Sequence, residues 1–441
     1  MSRPRVAGSR GARRVTRFTS ELILARLRAL HPRAIDLSLD RIERLLAALD
    51  HPERRLAPAV HIAGTNGKGS TLAMLDAMLQ SDGRRVQRYI SPHLVHFNER
   101  FLFDGRPIQE PRLADVLEHC ERINGDQPIT EFEITTAAAF LAFARAPADV
   151  LLLETGLGGR LDATNVIWPR LTALAPISLD HQAFLGERLG QIAFEKAGIL
   201  KPGVRCIVGP QPAEALSVIE ARAAEIGVPL QIHGRDWNAR RAGDRLRVES
   251  GGTTLDLPLS ALAGGHQIEN AGLAVTCALA LGDLAPGRDA IAQGLRKVVW
   301  PARLQHLSRG PLVGLLPPGG ALWLDGGHNP AAGLALADGL KNHDPRPWHL
   351  IVGMLRTKDQ DGFLAPLAPL ARSIWTVPVP DEAASWDPAA AARGLRAASF
   401  PAATAGSVDE ALAAIVQDGR PCRVLICGSL YLAGHVLRDN G

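Results

Sequence analysis

Between positions 61 and 71 the chain reads HIAGTNGKGST. Gly64, Gly67 and Gly69 let the backbone curl tightly and present its amides, Lys68 offers a point charge, and Ser70 and Thr71 supply hydroxyls. With Thr65 and Asn66 between them, these groups suit a polyphosphate. The spelling departs from the common phosphate loop G-x-x-x-x-G-K-S/T at two points: Ile62 stands where the first glycine belongs, and Gly69 follows Lys68 in place of a hydroxyl residue. Taken alone, the stretch also reads as a glycine-rich strand-to-helix turn with a surface lysine. Three further candidates each follow an apolar run: Ser91 after VQRYI, Glu154 at the end of ADVLLLE, and His181 beyond RLTALAPI. A carboxylate and a hydroxyl are hard oxygen donors of the kind magnesium takes beside phosphate oxygens. A histidine there is more often a structural hydrogen-bonder. Lys196, in FEKAGIL, reads locally as a helix-surface lysine. His93 and His96 lie three apart with Glu99 beyond, but two imidazoles without a clear third ligand do not make a zinc site.

These residues need a scaffold, and the surrounding pattern supplies one. APAVHIAG reads as a short buried strand, TNGKGS as a turn, and Leu72, Leu75, Met78 and Leu79 as the apolar stripe of a helix closed by Gly83; VQRYISPHL then returns as a strand. Upstream, Thr19 or Ser20 caps a helix carrying Ile23, Leu27 and Leu30 that HP ends, and a second helix runs over about 39–49. The runs ADVLLLE, RLTALAPI and VRCIVG are continuously apolar, as in parallel strands covered on both faces. Ligands of such a sheet gather beyond its carboxyl ends, where Ser91, Glu154 and His181 would join the glycine loop. Residues 237–258 read as a β-hairpin and HQIENAGLAVTCALALG as a buried helix. After VVWPARLQ the pattern restarts with strands ALWLDGG, WHLIVGM, SIWTVPVP and RVLICGS. The expected fold is α/β: a basic tail over 1–17, a P-loop, parallel-sheet ATPase domain over 18–299 and a smaller Rossmann-like α/β domain over 300–441.

A chain of 441 residues exceeds one core, and 46% hydrophobic residues suffice for two. A formal charge of +4 argues against a nucleic-acid partner and leaves a small anionic ligand open. Five cysteines, odd in number and set in apolar runs, suit reduced thiols in the cytoplasm. The six arginines of the tail precede no apolar signal region, although an arginine-rich, acid-poor start is also compatible with an organelle transit peptide. No apolar run reaches the ~20 residues of a membrane span.

AGTNGKGS resembles the nucleotide loop of the Mur-type ligase superfamily, and Gly69 is the variant of its folylpolyglutamate synthase branch. AIDLSLDRI, SPHLVHFNER, EFEITTAAAF, LETGLGGRLDATN, ISLDH, EKAGILK, HQIENAG, WPARLQ, DGGHNPAA and GSLYLAG are similar to its motifs, in its order, from about residue 20 onward. The resemblance implies an ATP-driven amide ligase that adds L-glutamate to dihydropteroate and to reduced folates through an acyl phosphate. It implies two magnesium ions, held by Ser91, Glu154, His181 and a carbamylated Lys196. Nucleotide contacts fall on Gly64 to Ser70, Asn270, Arg303, Asp325 and His328. Pterin contacts fall on Ile35, Asp36, Leu37, Phe132, Glu133, Leu161, Asp162 and Ala163. Read locally, GGRLDATN is a glycine-rich loop with an Asx turn.

The chain departs from the family's usual spelling at Ala175 and Pro176, where Thr and Ser are common, at Ala302, where Gly is usual, and at Gly327, where Ala is frequent. None of these removes a candidate ligand. A monomer acting on small molecules is expected, with neither nucleic acid nor membrane as partner. The rivals are a monofunctional member, a ligase for a peptidoglycan precursor, which usually carries an added N-terminal substrate domain, and a nucleotide-hydrolysing switch protein. The last leaves RLDATN and Lys196 without a role.

Overall fold

The computed structural model describes residues 19–30, 36–341 and 347–441; the basic tail and Ile35 lie outside the described residues. One sheet holds Ala59–Ala63 (β1), Val86–Tyr89 (β2), Phe101–Phe103 (β3), Arg106–Pro107 (β4), Val150–Glu154 (β5), Leu171–Leu174 (β6), Cys206–Val208 (β7) and Leu230–Ile232 (β8). Their order is β4-β3-β2-β5-β1-β6-β7-β8. The pairs from β2 to β8 are parallel, whereas β3 and β4 add antiparallel edges that the apolar runs did not announce. Their turn, Asp104–Gly105, has both φ angles positive, as a tight hairpin connection requires. The buried runs are buried because both faces are covered. Val150 and Leu152 enter one core with the helices Lys68–Ser81, His266–Leu279 and Arg288–Lys297, while Leu151 and Leu153 enter another with Thr19–Leu27, Asp40–Ala48, Glu110–Asn124 and Glu131–Ala144.

The expected hairpin over 237–258 is instead a three-stranded antiparallel sheet: Trp237–Ala242 (β9), Arg245–Ser250 (β10) and Thr253–Pro258 (β11). Gly243 and the pair Gly251–Gly252, all with positive φ, make two turns where one was expected. A further sheet contains Gln305–Leu307 (β12), Ala321–Leu324 (β13), Trp348–Val352 (β14), Ala371–Thr376 (β15), Ala402–Thr404 (β16) and Arg423–Cys427 (β17) in the order β12-β13-β17-β14-β15-β16. β12 is antiparallel to β13 and the other pairs are parallel. The edges β12 and β16, three residues each, are too short to show a period. The two sheets meet closely. Leu94 and Val95, from the loop after β2, pack against the core of the second sheet, and a Cβ on Gly434 of the helix Leu430–Asn440 would overlap the Leu94 carbonyl.

Candidate functional site

β1 lies between β5 and β6, and its register pairs Ile62 with Glu154. The loop that follows β1 therefore emerges beside the carboxylate that ends β5. The loop is shaped by close contacts: Gly64 has φ +150° and a Cβ there would lie 2.7 Å from Ala175 Cβ, while a Cβ on Gly67, φ +87°, would overlap Asn270 Oδ1. Thr65 N and Asn66 N donate to Pro176 O at 2.9 and 3.2 Å. Proline keeps the carbonyl this contact needs, so the unusual Pro176 is harmless. Behind the loop the helix Lys68–Ser81 presents its amino end, a ready anion site.

A cavity of about 540 Å³ opens here, between the carboxyl ends of the first sheet and the loops after β13. Its lining contains Gly64 to Ser70, Ser91, Glu154, His181, Lys196, Asn270, Arg303, Asp325 and His328. Residues up to 263 positions apart are joined across it: Asn66 and Asn329 exchange hydrogen bonds at 3.1 and 3.2 Å.

The charges inside are tightly balanced. Lys68 Nζ lies 3.9 Å from Glu154 Oε1 and donates to Gly64 O at 3.1 Å. Burial raises the Glu154 pKa, opposed by the charges of Lys68, Arg303 and Arg88 and by an amide hydrogen bond from Ser91. Lys196 is not the helix-surface lysine of the local reading. It is buried, donates to the same Gly64 carbonyl at 2.9 Å, and is lowered to about 7 by burial and by the Lys68 charge. Asp180 gathers groups from the second sheet's loops: Lys358 Nζ donates to it at 2.6 Å, Asn329 Nδ2 at 3.1 Å, and His328 Nε2 stands 3.7 Å away. Burial pushes the Asp180 carboxyl up, but the nearby His328 imidazole and the Lys358 charge hold it well below the usual carboxylate range. His181 Nε2 is 3.3 Å from Lys358 Nζ, and its own pKa is lowered by desolvation and then by that ammonium.

Three oxygen or nitrogen donors of the kind a hard divalent ion takes line the cavity: the buried Glu154 carboxylate, Ser91 Oγ, which is buried and has no hydrogen-bond partner among the described residues, and His181. Asp325 is used differently from a free acid, since its oxygens accept Leu304 N at 2.7 Å and Gly327 N at 2.6 Å and so tie the Arg303 segment to the loop after β13. Ala302 has φ +56°, which explains why glycine is usual at that place and costs roughly 1 kcal/mol here.

The described residues expected to contact a pterin do not line this cavity: none of Asp36, Leu37, Phe132, Glu133, Leu161, Asp162 and Ala163 appears in its lining, which instead shows Gly156, Leu157 and Gly158. Asp162 Oδ2 accepts Leu157 N at 2.7 Å and Oδ1 accepts Thr164 N at 3.0 Å as well as the Thr164 hydroxyl. The Phe132 ring sits where a Cβ on Gly156 would be. Arg41 joins Asp36 at 3.1 Å to Glu133 at 3.0 Å, bringing two of the motifs together. Leu37 packs beside the core under β7, and Ala163 is buried. Glu99 caps Leu94 N, Val95 N and His96 N at 2.8 to 3.0 Å, which occupies the carboxylate of the zinc-like spacing. Among the described residues no cluster of three or more His, Cys, Asp or Glu side chains is placed to hold a metal.

Residues 313–430 match the Mur ligase, glutamate ligase domain. The folylpolyglutamate synthase of Lacticaseibacillus casei is 34% identical over 90% of this chain and 92% of its own. The chain belongs to the dihydrofolate synthase/folylpolyglutamate synthase family of Mur ligases. Escherichia coli FolC in complex with DHPP and ADP superposes with a TM-score of 0.86 at 32% identity, over 95% of this chain and 97% of that one. A bifunctional folylpolyglutamate synthase/dihydrofolate synthase with Mn, AMPPNP and L-glutamate bound gives 0.84 at 31% identity, over 96% and 98%. Sequence reasoning passed over Asp180, Asn329, Lys358 and Arg41 as site residues. Asp180, Asn329 and Arg41 lie in segments singled out as family motifs, and Lys358 carries no signal of its own.

Proposed function

We propose that the chain joins L-glutamate to dihydropteroate, and to reduced folates, at the expense of ATP. One observation carries this: a phosphate loop, the Lys68 and Lys196 side chains that meet on its Gly64 carbonyl, and a buried carboxylate share one cavity with Arg303 and His328 from the second sheet's side. The ligands of the related FolC structures, a nucleotide, DHPP, manganese and L-glutamate, are the set such a cavity would need. The acceptor carboxylate attacks the γ phosphate, ADP leaves, and the glutamate amine then displaces phosphate from the acyl phosphate. Amides of Gly64 to Ser70 and Lys68 hold the phosphates as negative charge shifts toward ADP. Ser91, Glu154, His181 and a carbamylated Lys196 would hold two magnesium ions, which when bound neutralise phosphate charge. Arg303 enters from the segment joining the sheets, so the nucleotide spans them and water is kept from the acyl phosphate. The five cysteines are free and buried, as suits a reducing cytoplasm; among the described residues no helix is long and apolar enough to cross a membrane.

Phosphate release from ATP tests the reaction. It is expected to require dihydropteroate and glutamate together, or a reduced folate and glutamate. Steady release from ATP alone would favour a hydrolytic switch instead.

Asp162 offers a finer test. With both oxygens holding its own loop, Asp162→Ala strands two backbone N–H groups, at about 1–3 kcal/mol each, and loosens Gly156–Gly158 beside Glu154. Calorimetric titration is expected to show dihydropteroate and Mg·AMPPNP weakened together. A loss confined to dihydropteroate would assign the carboxylate to the pterin itself.

A further inference from the structure

Gly69 has an ordinary negative φ, so its backbone does not demand glycine. Space does. A Cβ at 69 would lie 2.7 Å from Trp300 Cζ2 and 2.9 Å from Trp300 Nε1, closer than real side chains come. The hydroxyl residue that usually follows the loop lysine would therefore collide with this indole. The guanidinium carbon of Arg88 lies 5.0 Å from the centre of the Trp300 ring, and Arg88 is itself buried and paired with Asp76 at 3.0 Å. Asp76 belongs to the same helix as Gly69. The indole is thus packed against the first turn of the phosphate-loop helix and against an arginine anchored farther along that helix.

Trp300 lies in the segment between the helix Arg288–Lys297 and β12. Two residues after Trp300 this segment is pinned at Ala302: Ala302 N donates to Gln305 Oε1 at 2.9 Å, and Ala302 O accepts Gly326 N at 3.0 Å and Arg303 Nη1 at 2.8 Å. Among the described residues no acceptor meets Trp300 Nε1, so the ring is located by packing rather than by a directional bond. We infer that Trp300 is a positioning residue for the nucleotide: its indole, matched to Gly69, sets the phosphate loop and the entry of Arg303 in register with each other. This rests on the ligase reading only for its nucleotide.

The experiment measures Mg·AMPPNP affinity by calorimetry and the KM values of ATP, dihydropteroate and glutamate for Trp300→Ala, Trp300→Phe, Trp300→Leu, Gly69→Ala and the Gly69→Ala/Trp300→Leu pair. A misplacement of about 1 Å can cost on the order of 100-fold. Trp300→Ala is therefore expected to weaken AMPPNP and raise the KM of ATP about 10- to 100-fold, leaving the other two KM values within about threefold. Trp300→Phe should retain most of the affinity. Gly69→Ala should lose affinity to a similar degree, and the double variant should recover it at least in part, because the smaller side chain vacates the space the new methyl needs. Additive losses in the double variant, or unchanged AMPPNP affinity in Trp300→Ala, would overturn the inference; if Trp300→Ala does not fold, the Leu cycle decides. A wild-type chain that binds AMPPNP but shows no glutamate-dependent phosphate release refutes the ligase reading and leaves this contact testable.

Discussion

Lys68→Ala and Glu154→Ala are each expected to lower ligation by about 10²- to 10³-fold, the usual cost of removing one charge-stabilising group from a transition state. Their effects should be similar because the two groups belong to one arrangement. Lys68 and Glu154 face each other at 3.9 Å inside the cavity, and each is the other's nearest counter-charge there. Without Lys68 the phosphates lose a cation. Without Glu154 a divalent ion loses its carboxylate and Lys68 and Arg303 lose the carboxylate they face, while Arg88 keeps its pairing with Asp76. The fold should survive both changes, since Glu154 is buried at a cost to its own charge and no apolar packing depends on its carboxylate. Turnover measured beside thermal melting checks this. Either variant keeping more than roughly a third of wild-type turnover at an unchanged melting temperature would exclude the proposed site.

The parts of this site that could be read in the sequence are those in which a local string already contains the chemistry. Gly64 to Ser70 are contiguous, and Glu154 ends a run whose apolarity marks it as a central strand, so the position of each follows from the rule that ligands collect at the carboxyl ends of parallel strands. What could not be read depends on contacts between distant segments. The Asn66–Asn329 exchange and the Lys358–Asp180 pair link elements that no period or motif relates. The same is true of Gly69, whose odd spelling has its physical cause 231 positions away in an indole. Asp162 shows the opposite case: the local reading of an Asx turn describes what its carboxylate does in the structure.

Lys196→Ala is expected to lose most activity and to regain part of it in acetate or formate, whereas Lys196→Arg should stay inactive. The argument begins with burial. A primary ammonium that shares the Gly64 carbonyl with Lys68 and, among the described residues, feels Asp180 and Asp162 only at a distance is a poor neighbour for divalent cations. Its pKa near 7 leaves much of the amine neutral at physiological pH, and the neutral amine is the form that adds carbon dioxide. The carbamate so formed replaces a positive charge by anionic oxygen, which a hard cation prefers. Because the pKa is depressed, the neutral fraction rises with pH: about a tenth of the amine is neutral one unit below that value and about nine-tenths one unit above it. Activity of enzyme stripped of carbon dioxide should accordingly be restored by bicarbonate more completely at pH 8 than at pH 6. Alanine leaves a space that a small carboxylate can enter from solution, and arginine fills that space with a permanent cation. Carbon-13 NMR after equilibration with labelled bicarbonate provides the independent check. No protein-bound carbamate signal, together with a fully active Lys196→Ala enzyme, would reduce Lys196 to a buried hydrogen-bond donor that braces the phosphate loop through Gly64.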